Sequence, residues 1–292
     1  MMEIDITVAR KVLQVVDAGL VSSIGEPIPG KMCVEAAVCY AMGLPHGDQP
    51  TCVAPSLRRL KIRLNDARWS SNMARSKGLR RLALAQLGSA GTLDEKEFVQ
   101  RIARLAIQTQ VPIALRAAAS ICRNEQKKDA MLKAALACEL EPTRENAEEA
   151  CTAAYASAAY VSAAYTSAAY TSAAYAADAA DASADYAAYV ADASADYAAS
   201  AADAAAYAAD AAYAAAYAAN VADVAYAAAD AANVANAAYA ANVANVATSA
   251  ACATDQQLTA FAEDVVQILV DMKAYGCEWL VLTESEGGLD EK

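Results

Sequence analysis

Between Pro142 and Gly276 the chain contains neither glycine nor proline, and between Arg144 and Lys273 it contains neither lysine nor arginine. More than half of residues 153–247 are alanine, and 13 of the chain's 15 tyrosines lie among them. Alanine has the highest helix propensity and the strongest helix breakers are missing, so the interval predicts long helices rather than an enzyme core. A single helix from 143 to 275 would be about 200 Å long at its rise per residue. That is too long for a compact chain of this size, so two or more long helices folded into an elongated bundle are expected. Their turns are expected near asparagine- or serine-rich points such as 220–224 or 246–250. Alanine faces allow helix axes to approach closely, and the tyrosines are expected to supply most of the buried area.

The spacing inside the interval changes along it. Tyr155, Tyr160, Tyr165, Tyr170 and Tyr175 recur every five residues, a step that points around the whole circumference of an α-helix. A short β-solenoid over 151–175 would accept that period and is the alternative there. Next come two copies of an 11-residue unit starting at Asp181 and Asp192. Eleven residues make three helical turns, which keeps equivalent positions aligned. On a helix Asp178, Asp181, Asp185, Asp192, Asp196, Asp203 and Asp210 fall within about 60° of one another. Tyr186, Tyr197 and Tyr207 accompany this acidic stripe. Beyond Tyr217 the non-alanine positions tighten to steps of three, so the stripe winds around its helix.

Charge divides the chain in the same place. Residues 1–144 carry 21 basic and 14 acidic side chains, and residues 145–292 carry 2 basic and 21 acidic ones. This suggests a basic helical domain over 1–142 and an acidic repeat region over 143–292. A polarised chain either folds its halves together or offers each to an outside partner. The nine aspartates between 178 and 230 argue against a membrane span. The start of the chain lacks the basic and apolar regions of a signal peptide. Its eight cysteines contain no CxxC pair, so free thiols in a cytoplasm are expected.

The first half reads as a series of short helices. Asp5 caps a helix over 6–18 with Val8, Val12, Val15 and Val16 on one face. The run Gly25 to Gly30 is a loop, Met32–Met42 a short helix, and Gly43–Pro55 a second loop. Leu57, Leu60 and Leu64 suit another helix, and Ser71 caps the next. Thr92 to Glu95 has capping-box spacing, which predicts a helix carrying Phe98, Ile102, Leu105 and Ile107 inward. Pro112 suits the first turn of a further helix, and Asn124–Leu140 supplies one more. Leu258, Phe261, Val265, Ile268 and Met272 predict an amphipathic helix over 255–275, stopped by Gly276.

Four constellations bear on function. Cys33 stands at a predicted helix start, where the dipole lowers a thiol pKa. His46, the only histidine, is its candidate base and Asp48 the orienter, a thiol-hydrolase arrangement. The plain alternative is a buried structural cysteine beside a turn histidine. Cys33, Cys39, His46 and Cys52 also form a four-ligand set for zinc. However, a helix over 32–42 separates its two cysteines by about 120°, so no metal and no cofactor are expected.

The third constellation is a basic cluster: Arg58, Arg59, Lys61, Arg63, Arg68, Arg75, Lys77, Arg80 and Arg81, with Trp69 inside it. Nucleic acid would use such cations for phosphates and Trp69 for stacking. Docking on acidic helices of the same chain or of another copy is the rival. The fourth is the aspartate stripe with its tyrosines. It is suited to a basic protein partner or effector, unless it is only a solvated face. Regularly spaced Thr166, Thr171 and tyrosines also fit a structural or ice-binding surface.

The Ala-Ala-Tyr and Ala-Ala-Asp runs resemble the alanine-rich repeats of the Imm-5-like putative immunity proteins of bacteria and phages. In addition, the segments Pro29–Asp48 and Arg63–Asn72 resemble uncharacterised bacterial and phage proteins. The first likeness implies a protein that neutralises a toxin or effector in a bacterial or phage-infected cell. Neither supplies a catalytic motif. The expectation is an all-α, non-enzymatic binding protein of immunity or anti-defence type.

Overall fold

The computed structural model describes residues 4–122, 124–162 and 235–284. All of their regular structure is helical, accompanied only by isolated bridges from Leu20 and Gly25 to Met32. The chain divides into two compact units. Of the described residues, one takes 4–103 and 258–284, and the other takes 104–122, 124–162 and 235–257.

The first unit starts with α1 (Ile6–Asp17), α2 (Val34–Ala41), α3 (Pro55–Asp66) and α4 (Asn72–Ala85). Local chemistry sets most of their starts. Asp5 accepts the Val8 amide at 2.9 Å, Ser71 accepts that of Ala74 at 3.1 Å, and Pro55 occupies the first turn of α3. Each cap satisfies an amide that the helix itself leaves without a partner. The predicted α1 face is buried at Val8, Val12, Val15 and Val16. It joins Leu20, Met32, Val38, Leu57, Leu60, Leu64, Leu79 and Leu82 among the residues withdrawn from water.

Helix α5 (Glu95–Leu105) starts differently from its sequence signature. Asp94, not Thr92, accepts the Glu97 amide at 3.0 Å, while Thr92 Oγ1 donates to Gly88 O. Glu95 Oε2 instead accepts the amide of Ser56 at 2.9 Å, so it serves the first turn of α3. A tertiary partner displaced the local capping box.

The second unit takes up the chain near the end of α5. A π-helical turn, Ala106–Gln110, leads into α6 (Val111–Ile121), with Pro112 in its first turn. Proline has no N–H to give the ladder, and the wider turn lets the helix continue past it. Helix α7 (Glu125–Leu140) is capped by Asn124, and α8 (Arg144–Ser162) follows. Helix α8 overturns the solenoid alternative for 151–162, because the first two pentad tyrosines, Tyr155 and Tyr160, lie on it. The remaining pentads lie outside the described residues. Ala147, Ala150 and Ala154 are fully buried in the cluster holding Met131, Ala135 and Cys138. In contrast to the expectation that tyrosines fill the core, Tyr155 is 49 % exposed. Spacings of three and four keep the alanines on one face, and the step to position 155 leaves it.

Helix α9 runs unbroken over Ala235–Asp271, so the turn expected at 246–250 is absent. Alanine on both sides makes a few asparagines and serines a weak breaker. The stretch 220–224 lies outside the described residues. Within the first unit Leu258, Phe261, Val265 and Leu269 are buried, a stripe shifted from Ile268 and Met272 toward Leu269. The helix ends at Lys273 rather than at Gly276. Lys273 takes φ +55, with Ala274 N donating to Leu269 O and Lys273 N to Val270 O. That is a Schellman ending with lysine in the usual glycine position.

Gly276 serves the short 3₁₀ helix Tyr275–Thr283, where it lies against the end of α4. A Cβ there would stand 2.4 Å from Leu84 O and 2.7 Å from Leu87 N, both backbone atoms. Gly276→Ala is therefore expected to cost about 2 kcal/mol or more, the scale of overpacking in a rigid site. Gly47, whose Cβ would meet nothing nearer than 3.8 Å, is the control. Urea denaturation of both variants checks this, and equal midpoints would contradict it.

Candidate functional site

The sequence-predicted chemistry collects where α2, α3 and the loop before α2 meet. Gly25 takes φ +68 in that loop, and a Cβ would stand 2.0 Å from Lys31 O, so only glycine fits. Asn65, almost completely buried, ties the region together. Its Oδ1 accepts the Val34 amide at 3.2 Å, and its Nδ2 donates to Val21 O at 2.9 Å. Asp66 Oδ1 accepts the Ser23 amide at 2.6 Å.

Cys33 is the N-cap of α2, with Sγ accepting the Ala36 amide at 3.3 Å. Burial pushes its pKa up, and the amide bond only partly opposes this. The expected activation by the helix start is thus reversed, because removing the thiolate from water outweighs the dipole. Burial also raises Cys39 to about 11 and raises Cys52. His46 is exposed and turned elsewhere: its Nε2 lies 3.0 Å from Gly25 O, which fixes Nε2 as the protonated nitrogen. His46 thus fastens the loop, and Asp48 is half-buried beside the cavity that Cys33 lines. Among the described residues no group of three His, Cys, Asp or Glu side chains is arranged to hold a metal.

Cys33 is expected to react slowly with iodoacetamide at neutral pH in the native protein, well behind the exposed Cys252. Mass-spectrometric timing of alkylation checks this. Rapid labelling of Cys33, lost on His46→Ala, would restore the thiol-hydrolase reading.

The most unusual group at this site is an ion pair. Lys61 Nζ lies 3.2 Å from Glu35 Oε1, and both side chains are fully buried. Burial raises Glu35 to about 7, with Lys61 and then Arg58 opposing the rise. Burial likewise lowers Lys61, against the attraction of Glu35. Sequence reasoning placed Lys61 in a surface cluster. Its position offered a signal, since on α3 it falls beside Leu57, Leu60 and Leu64. Glu35 carried a signal too, as a lone charge within the apolar run Cys33–Cys39. Their pairing, 26 positions apart, has no local signature.

The basic cluster does not form one surface. Besides Lys61, Arg75 is buried, donating from Nε to Asn65 O at 2.7 Å and from Nη1 to Leu20 O at 3.0 Å. Trp69 is 7 % exposed, with its indole N–H on Leu64 O. Its ring fills the space beside Gly78, where a Cβ would come within 2.3 Å of it. Trp69 is thus removed from any stacking role. Arg80 makes two bonds to Asp17, and Arg81 Nη1 reaches Glu263 at 2.6 Å. Arg59, Arg63, Arg68 and Lys77 are exposed, and Arg58 is half-buried. The nucleic-acid expectation loses its aromatic platform and two of its cations to the fold.

The predicted partner-binding residues Asp178, Asp181, Asp185, Asp192, Asp196, Asp203, Asp210, Tyr186, Tyr197 and Tyr207 lie outside the described residues. No described helix is long and apolar enough to cross a membrane. No protein-family model matches the chain, and comparison with curated proteins and with solved structures finds no match.

Proposed function

We propose that the chain is a non-enzymatic binding protein of immunity or anti-defence type, holding a basic protein partner or effector on its aspartate and tyrosine tract. The observation that carries this reading is where the described cations go. Lys61, Arg80 and Arg81 pair with Glu35, Asp17 and Glu263, Arg75 bonds backbone carbonyls, and Arg116 pairs with Glu139. Each of these partners lies within the same unit as its cation. The nine aspartates between 178 and 230 have no lysine or arginine in their own stretch of sequence. A run of like charges of this length draws a cationic surface and speeds its encounter. Tyrosine adds rigid contact area at little entropic cost.

Support also comes from the thiol site, where a buried Cys33 and an outward-fastened His46 lack the contact nucleophilic catalysis requires. The test compares wild type with the Asp181→Asn, Asp185→Asn, Asp192→Asn, Asp196→Asn variant as bait, at low and high salt. A basic protein held by wild type at low salt and lost by the variant supports the proposal. Equal capture by both baits would count against it, and self-association as the only salt-sensitive event would favour a homo-oligomer.

A further inference from the structure

We propose that an exposed leucine ridge on helix α7 is the contact through which two copies of this chain pair. Leu132, Leu136 and Leu140 are 37 %, 50 % and 73 % exposed. Steps of four residues keep them within about 80° of one another, and Leu136 stands about 160° around the helix from Cys138. Cys138, with Met131, Ala134 and Ala135, forms the face that α7 gives to the core of its unit. The ridge thus lies opposite the core. Helices α1, α2 and α4 each expose a single large apolar side chain, Ile6, Tyr40 and Met73. Single exposed residues of that kind are ordinary, whereas a continuous row marks a contact surface.

The choice of a second copy follows from shape and charge. A row at i, i+4 and i+8 is one of the ridges by which helices interlock, and it fits the groove beside an identical ridge. Here the neighbouring row holds Lys133 and Ala137, a flexible stem and a small side chain that leave room for a leucine. The charges around the ridge cancel. Lys128 pairs with Glu125 at 3.6 Å, Arg116 pairs with Glu139, and Asp129 and Lys133 add one charge of each sign. A face without net charge does not select the strongly basic partner proposed for the aspartate tract, yet it meets no repulsion from its own copy. A twofold axis near Leu136 would use the same patch on both copies and close the assembly at two.

Area sets the strength of the contact. Three part-exposed leucines from each copy fall short of the roughly 1,200 Å² at which stable interfaces begin, so the dimer should be reversible, with Kd roughly 10–100 µM. This inference does not rest on the function proposed for the tract.

Sedimentation equilibrium of the full chain from about 1 to 300 µM, in about 0.05 and 0.5 M sodium chloride, tests it. A monomer–dimer equilibrium that persists at the higher salt is expected, because apolar contact is not screened. Leu136→Gln should weaken pairing by about tenfold or more, since the apolar contact is lost twice in each dimer. Leu140→Gln, at the most exposed of the three positions, should weaken it too and keeps the test decisive even if Leu136→Gln does not fold. The four-asparagine tract variant should pair as wild type does. A chain that stays monomeric throughout would overturn the proposal, as would a dimer equally strong in both leucine variants. A dimer lost at high salt or in the tract variant would also overturn it, because that places the contact on the charged tract.

Discussion

Lys61→Met is expected to destabilise the protein by about 3–5 kcal/mol at pH 8, the usual cost of leaving one member of a buried ion pair alone. Glu35 would then sit fully buried without its counterion, and the cost is set by that stranded carboxylate rather than by lost attraction. Protonation relieves it, so pH separates this from simple loss of packing. Glu35 has a folded pKa raised from 4.5 to about 7, so between those values the native state binds more protons than the unfolded chain. The stability this contributes is present below 4.5 and is lost as pH rises through about 7. Removing Lys61 removes the main force opposing the rise and extends that window upward. Lys61→Met should therefore lie closer to wild type at pH 5 than at pH 8.

The double variant Glu35→Leu, Lys61→Met should recover most of the loss, since well-packed apolar replacements of buried pairs are commonly neutral or stabilising by about 1–4 kcal/mol. Denaturant titrations at the two pH values check all three proteins. A single variant equally destabilised at both would contradict the buried-charge account.

The sequence was most informative where structure is decided locally. Asp5, Ser71 and Asn124 cap the helices their spacing predicts, and the α1 valines and the Phe261, Val265 stripe face inward. Failures occur where a distant partner intervenes. Glu95 abandons its own capping box for Ser56, Lys61 turns from a surface cluster toward Glu35, and Trp69 folds against Gly78. The Glu95 and Lys61 contacts lie 39 and 26 positions away in sequence, and Trp69 meets Gly78 across the turn between α3 and α4, so no pattern within a single helix encodes any of them. Lys273 in a left-handed ending shows the converse: local preference favoured Gly276, but close approach to α4 held that glycine elsewhere. The alanine face of α8 was legible as a packing surface, whereas the outward Tyr155 was not, because pentad spacing alone does not say which face a neighbour covers.

The aspartate tract carries the second large effect. Changing Asp181, Asp185, Asp192 and Asp196 to asparagine removes four carboxylates while keeping side-chain size. At about 0.2–1 kcal/mol for each exposed charge contact, the loss of partner affinity should total about 1–4 kcal/mol, roughly five- to several-hundredfold. Stability should change little, since asparagine differs only slightly from aspartate in helix propensity. Changing Tyr186, Tyr197 and Tyr207 to phenylalanine keeps the rings and removes the hydroxyls, so it should weaken binding less than the charge changes do.

The most direct test is the salt dependence of partner affinity, measured by titration for wild type and the four-asparagine variant across about 0.05 to 0.5 M salt, where the screening length shrinks severalfold. Binding through the acidic tract predicts that wild-type affinity falls steeply with salt, and that the variant is weaker throughout with a shallower slope. Identical affinities and slopes for the two proteins would contradict the account.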